Sequence, residues 1–394
     1  MDRRQFLAAL AGTATLTLWP GSPLRADQNT PPSRLIVIIL RGALDGLSAA
    51  PAYGDKHFAA LRGELNLGTP GRPGGPLKLD DTFALHPSLV HCHELYAQKA
   101  FAIVHACALP YHGRSHFDAQ DCLENGANAP HACDSGWLNR ALDALHQPQG
   151  LAIASGLPLL ARGGAPFMTW SPTPGKTTPE NLARQLEDAY NDDPALASAY
   201  TEAVRSQKMA PEQTGNSGQL AVVMEAAGKF LAEENGPHIA MVQDTGWDTH
   251  ANQNAVLKRK LAQLDQGMHN MQAALEKNWS QTAVIIATEF GRTVAVNGTR
   301  GTDHGTGSVV MLAGGAINGG QVHGQWPGLA TLKDDRDLMP ANDIRAVFKG
   351  VLAEHLQLAR NVLDSRVFPD SAAIAPITGL IRPRSRSRVG GHPI

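Results

Sequence analysis

The sequence predicts an α/β fold with a doubly wound, mostly parallel sheet flanked by helices, and two observations carry that expectation. Five short apolar runs, at 35–40, 101–105, 238–242, 283–287 and 308–312, lack polar alternation. A strand without a polar face is covered on both sides, as strands of parallel sheets are. Between the runs lie helical stretches at 116–124, 137–145, 182–205, 220–234, 252–276 and 344–356. Strands alternating with helices are the order of βαβ units, which place helices on both faces of one sheet.

Composition agrees with one large core. The chain has 394 residues, 43% hydrophobic and 18% charged, too apolar for a disordered protein. Loops rich in Gly and Pro at 68–75 and 171–178 punctuate it without dividing its composition, so residues 27–380 read as a single domain. The stretch 182–234 reads as a cap or flank on the sheet. Residues 381–394, with Arg382, Arg384, Arg386 and Arg388 among Pro, Ser and Gly, read as a basic disordered tail.

Residues 1–26 read as a targeting segment. Arg3-Arg4 followed by Phe6-Leu7 resembles a twin-arginine export signal, and the apolar stretch 7–19 is too short to span a bilayer. Cleavage after Ala26 would leave no membrane span and send the protein to the periplasm or the exterior. It would also leave 31 basic against 35 acidic side chains, a balance that argues against nucleic acid as a partner. In an oxidising compartment Cys92, Cys107, Cys122 and Cys133 could form one or two disulfides, with three full pairings open.

Ligands of an open α/β sheet collect beyond the carboxyl ends of its strands. Asp45 follows the first run, Asp248 and His250 follow the run 238–242, and Glu289 and Arg292 follow the run 283–287, with Asp303 and His304 closing the next loop. Carboxylates and imidazoles brought into one cleft need a cation or a proton among them. A mixed oxygen and nitrogen set suits Zn²⁺ or Mn²⁺ better than Ca²⁺, and the number of candidates leaves room for one or two ions. Asp248 and His250, two apart in an extended segment, point to one side and could share an ion. Trp247, directly before Asp248, reads as a packing residue.

Ser115 is the candidate nucleophile. It opens the helical stretch 116–124, and free N–H groups at a helix start stabilise an ionising hydroxyl. His116 could orient it or bind metal, while Arg114, Arg41 and Arg292 could clamp oxyanions. No Gly-x-Ser-x-Gly elbow occurs, which counts against an ordinary esterase.

Taken in order, Leu-Arg-Gly-Ala-Leu-Asp-Gly at 40–46, Arg-Ser-His-Phe-Asp-Ala-Gln-Asp at 114–121, Gly-Trp-Leu-Asn-Arg at 136–140, Asp-Thr-His at 248–250, Thr-Glu-Phe-Gly-Arg-Thr at 288–293 and Gly-Thr-Asp-His-Gly at 301–305 resemble one bacterial family. That family is the domain of unknown function 1501, exported with twin-arginine signals and grouped with the alkaline phosphatase and sulfatase superfamily. The resemblance implies an alkaline-phosphatase-like fold holding two ions. Carried over by position, it makes Asp45, Asp248, His250, Glu289 and His304 metal ligands and Ser115 the nucleophile. The chain departs from the superfamily pattern in having Glu289-Phe290 where Asp-His is usual, and in the short spacing from Asp248 to His250. The expectation is a metal-dependent hydrolase of small or polymeric phosphate or sulfate esters. The alternative is a catalytically inactive member that binds a partner protein or polysaccharide at the cell surface.

Overall fold

The computed structural model describes residues 32–147, 149–154, 156–172 and 219–383, and those from Ser33 onward belong to one compact unit. Residues 1–26, read above as a targeting segment, the stretch 182–205 and residues 384–394 lie outside the described residues. The strands are β1 (Arg34–Leu40), β2 (Leu77–Lys78), β3 (Ala84–Leu85), β4 (Phe101–Ala108), β5 (Gly150–Ile153), β6 (Phe167–Trp170), β7 (Ile239–Asp244), β8 (Thr282–Ala287), β9 (Ser308–Ala313), β10 (Val322–His323) and β11 (Asn342–Asp343). The helices used below are α1 (Gly46–Ala49), α2 (Phe58–Arg62), α3 (Val90–Ala97), α4 (His116–Asn125), α5 (Trp137–Ala144), α6 (Gln219–Ala232), α7 (Gln253–Leu275) and α8 (Ile344–Leu356).

Nine of the described strands form one sheet, with β10, β4, β9, β8, β1, β7, β5 and β6 side by side and β11 also on β4. β8, β1, β7, β5 and β6 run parallel, while β9 is antiparallel to both β8 and β4. The reversal of β9 matters for the site. It brings the residues that precede β9 to the rim where β1, β4, β7 and β8 end.

Helices cover both faces. Along β1, Ile36, Ile38 and Leu40 pack into a core with Leu95, Met224, Phe230 and Leu261 of α3, α6 and α7. Leu35, Val37 and Ile39 pack oppositely, with Leu123, Trp137 and Phe348 of α4, α5 and α8. Every β1 residue is buried, which is why its sequence shows no alternation. Among the described residues no helix is long and apolar enough to cross a membrane.

Two expectations need correction. All four cysteines are free, and Cys92, Cys107 and Cys122 are buried in separate packing positions, so no disulfide staples this core. The ordered body also reaches into the stretch read as tail, because the Arg382 N–H donates to the Ala316 carbonyl at 2.8 Å and its Nε to that of Ile317 at 2.8 Å.

Candidate metal centre

Three imidazoles converge at the carboxyl rim of the sheet. His304 Nε2 lies 3.0 Å from His116 Nε2 and 3.1 Å from His250 Nε2. Asp248 closes the group, with Oδ1 at 3.0 Å from His250 Nε2 and 3.3 Å from His304 Nε2, and Oδ2 at 3.4 Å from His116 Nε2. The ligand atoms of His116, Asp248 and His304 all lie within 4.8 Å of one another. Donors placed about 2.1 Å from one tetrahedral ion stand about 3.4 Å apart. The observed spacing fits that arrangement.

The far side of each ring supports the same conclusion. His116 Nδ1 is 2.8 Å from Glu289 Oε1, His304 Nδ1 is 3.0 Å from the Arg114 carbonyl, and His250 Nδ1 is 3.2 Å from Asp303 Oδ1. Each partner is an acceptor, so Nδ1 can donate to it and leave Nε2 as the ligand atom. Three lone pairs facing one another repel unless a cation lies among them. A hydrogen-bonded acceptor behind each ligating histidine is the usual support of a metal site.

Charge points the same way. Burial pushes the Glu289 carboxyl up, but hydrogen bonds from His116, Gln120 and the Gly42 N–H outweigh it and hold it below the ordinary range. Asp248 is likewise held low by Arg292 against the cost of burial, and Asp303 chiefly by Asn297. Three carboxylates held in the ionised form stand close together here, with the Arg292 guanidinium bonded to Asp248. A cation placed among them would offset this negative charge. The glutamate beside His116 raises that imidazole, while burial lowers His304.

Local sequence explains the positions. Ser115 takes extended backbone and caps α4, so His116 is the first helical residue and its side chain stands over the strand ends. Asp248 and His250 share a face, while Thr249 between them turns inward and bonds Gln253 at 2.8 Å. Gly42 is required where β1 meets this loop. Its φ is +116°, and a Cβ there would lie 2.6 Å from the Asp248 nitrogen. Arg292 is buried and donates to Asp248 and to Thr302.

Several expected site residues have other places. Asp45 does not join the cluster. It caps α1 through the Leu47 and Ser48 N–H groups and forms a buried ion pair with Arg62 of α2, with Ser48 and Gln253 completing its shell. Its carboxylate is therefore fully used within the fold. Glu289 and Asp303 stand behind histidines rather than facing the shared point. The Arg114 guanidinium turns away to Asp334 and the buried Asp337, leaving its carbonyl to His304. Ser115 Oγ accepts a 3.5 Å bond from the Asp118 N–H and makes no hydrogen bond to the cluster among the described residues. Trp247 is buried, its Nε1 bonded to Asp244 at 2.8 Å.

Sequence reasoning did not find Gln120. One turn beyond His116, it donates to Glu289 Oε1 at 2.9 Å while accepting from Arg41 at 2.9 Å. The four-residue spacing from His116 on a helix was the available signal.

Several solved structures are distantly similar to this chain in fold. Ps i-CgsB, solved in complex with k-i-k-neocarrahexaose, is 11% identical with a TM-score of 0.38 over 74% of this chain and 68% of its own. The alkaline phosphatase from the Antarctic bacterium TAB5 is 12% identical with a TM-score of 0.35, over 72% and 92%. The phosphonate monoester hydrolase of Agrobacterium radiobacter is 11% identical with a TM-score of 0.38, over 74% and 70%. No curated protein matches the chain. The family described as "Protein of unknown function (DUF1501)" matches residues 32–366, most of the chain, and the protein belongs to that family.

Proposed function

We propose that this protein is a metal-dependent hydrolase of phosphate or sulfate esters, exported through residues 1–26 and acting in the periplasm or outside the cell. The observation that carries the reading is the convergence of His116, His250, His304 and Asp248, each imidazole backed by an acceptor. These four residues would hold one divalent ion. Nitrogen and oxygen donors together favour zinc or manganese over calcium. Such an ion supplies Lewis acidity toward an ester oxygen.

The chain's own residues do the rest. Asp248, His250 and Asp303 are exposed by 40%, 46% and 56% at their side chains, so the centre opens to solvent on one side and a small anionic or polymeric ester can approach it. Arg292 holds Asp248 in place by a charge-assisted bond. Ser115 is the proposed nucleophile. It directly precedes His116, its capping bond is long and weak, and the amide end of α4 favours an ionised hydroxyl.

Metal-loaded full chain incubated with 4-nitrophenyl phosphate, 4-nitrophenyl sulfate and a phosphonate monoester tests this reading. Turnover lost in His116→Ala and in Ser115→Ala supports it. Turnover that survives Ser115→Ala removes Ser115 as nucleophile, and no turnover of any ester by metal-loaded protein would favour a binding role instead.

A further inference from the structure

Beside the metal centre lies a shallow cleft of about 530 Å³, wide open to solvent. One wall is a face of α4. Phe117, Gln120, Asp121 and Glu124 line it at the spacing of one helix side, starting one residue after His116. Arg41 and Gln243, at the ends of β1 and β7, complete the lining together with residues 156–159 and Arg162. Gln120 and the peptide after Arg41 both donate to Glu289, so the cleft and the centre share a boundary.

Its chemistry is distinctive. Phe117 is 88% exposed and Leu157 37%, and both border the cleft. Together they give the cleft an apolar edge beside polar groups that are already ordered. Arg41 donates to Gln243 at 3.0 Å, to Gln120 at 2.9 Å and to Glu124 at 2.6 Å, which holds four planar polar side chains in one orientation. The charges cancel, two guanidiniums (Arg41, Arg162) against two carboxylates (Glu124, Asp121). A polyanion would find no excess positive charge there, while a neutral ring bearing several hydroxyls would find donors, acceptors and an apolar face to lie on.

We propose that this cleft is a subsite for a sugar ring, the alcohol portion of the ester whose charged group reaches the metal centre; the proposal rests on the hydrolase reading above. The ring lies against Phe117 and Leu157, and its hydroxyls pair with Gln243 and Arg162. Specificity for a glycosyl ester over a simple alkyl ester is thereby set outside the metal centre.

The test uses metal-loaded full chain and ligand-observed NMR. The probes are the methyl glycosides of glucose, galactose and N-acetylglucosamine, their 6-sulfates and 6-phosphates, and ethyl sulfate and ethyl phosphate. At least one sugar ester is expected to bind about tenfold or more tightly than its ethyl counterpart, with the matching methyl glycoside also binding. Both effects should fall about tenfold in Phe117→Ala and in Arg162→Ala, with metal content retained. Sugar esters that bind no better than ethyl esters, or a preference that survives both substitutions, would overturn the subsite. Hydrolysis of ethyl and sugar esters alike would leave the hydrolase reading standing without the subsite. Phe117-dependent binding of a methyl glycoside with no ester turnover would do the reverse.

Discussion

His116 and Glu289 are joined Nδ1 to Oε1 at 2.8 Å, and this bond turns the imidazole so that its other nitrogen faces His304 at 3.0 Å. Glu289 is buried and fixed by the Gly42 N–H and Gln120 as well, so the ring is held by the sheet itself. Replacing Glu289 by Gln keeps the shape and removes the charge. Support of this kind is worth about 10–100-fold in metal affinity. Competition with a chromophoric chelator should show a loss of that size in Glu289→Gln, with the fold unchanged by circular dichroism.

Asp45 gives the opposite expectation. Its partner Arg62 is fully buried, and removing one member of a buried pair leaves an uncompensated charge costing about 3–5 kcal/mol. Asp45→Ala should lower the urea midpoint accordingly, yet the protein that remains folded should bind metal normally. A full-strength fold that has lost its metal would return Asp45 to the ligand set.

Gly42→Ala probes the approach of β1 to the metal loop. The added methyl would meet the Asp248 nitrogen at 2.6 Å, with a positive φ besides. Backbone strain alone costs about 1–3 kcal/mol. Both the melting temperature and the metal affinity should fall, because the atom that must move belongs to the ligand-bearing segment.

His105 sets a pH dependence away from the centre. Its Nδ1 accepts from the Ala106 N–H at 2.9 Å and its Nε2 pairs with the Ala50 carbonyl at 3.0 Å, so the neutral ring uses both nitrogens. Burial lowers its pKa to about 4. The unfolded chain, with an ordinary histidine near 6.5, then binds more protons than the folded one between those values. Stability is full above about 6.5 and falls as pH drops toward about 4, by roughly 3 kcal/mol at most. Urea titrations across that window should show a shallower slope in His105→Gln than in the parent.

The layered sheet was legible because β1, β7, β8 and β9 are buried on both faces and their apolar runs say so. β5 and β6 were not, since Gly150 and Ala152 offer little hydrophobic signal over four residues. Apolar runs also carry no direction. The antiparallel course of β9 is therefore invisible in sequence, although it is what brings Asp303 and His304 to the rim where the other strands end. Asp248 and His250 were readable from local geometry. Asp45 misled because a carboxylate after a strand looks the same whether it meets a metal, caps a helix or pairs with an arginine, and Arg62, seventeen residues on, gave no sign of turning inward.

Metal content of the protein purified without added chelator or metal tests the central claim most directly. Elemental analysis should find one divalent transition ion per folded chain, zinc or manganese, and His304→Ala should lose it while keeping its circular dichroism spectrum. Folded parent protein that carries no such ion, and takes up neither zinc nor manganese on titration, would contradict the account.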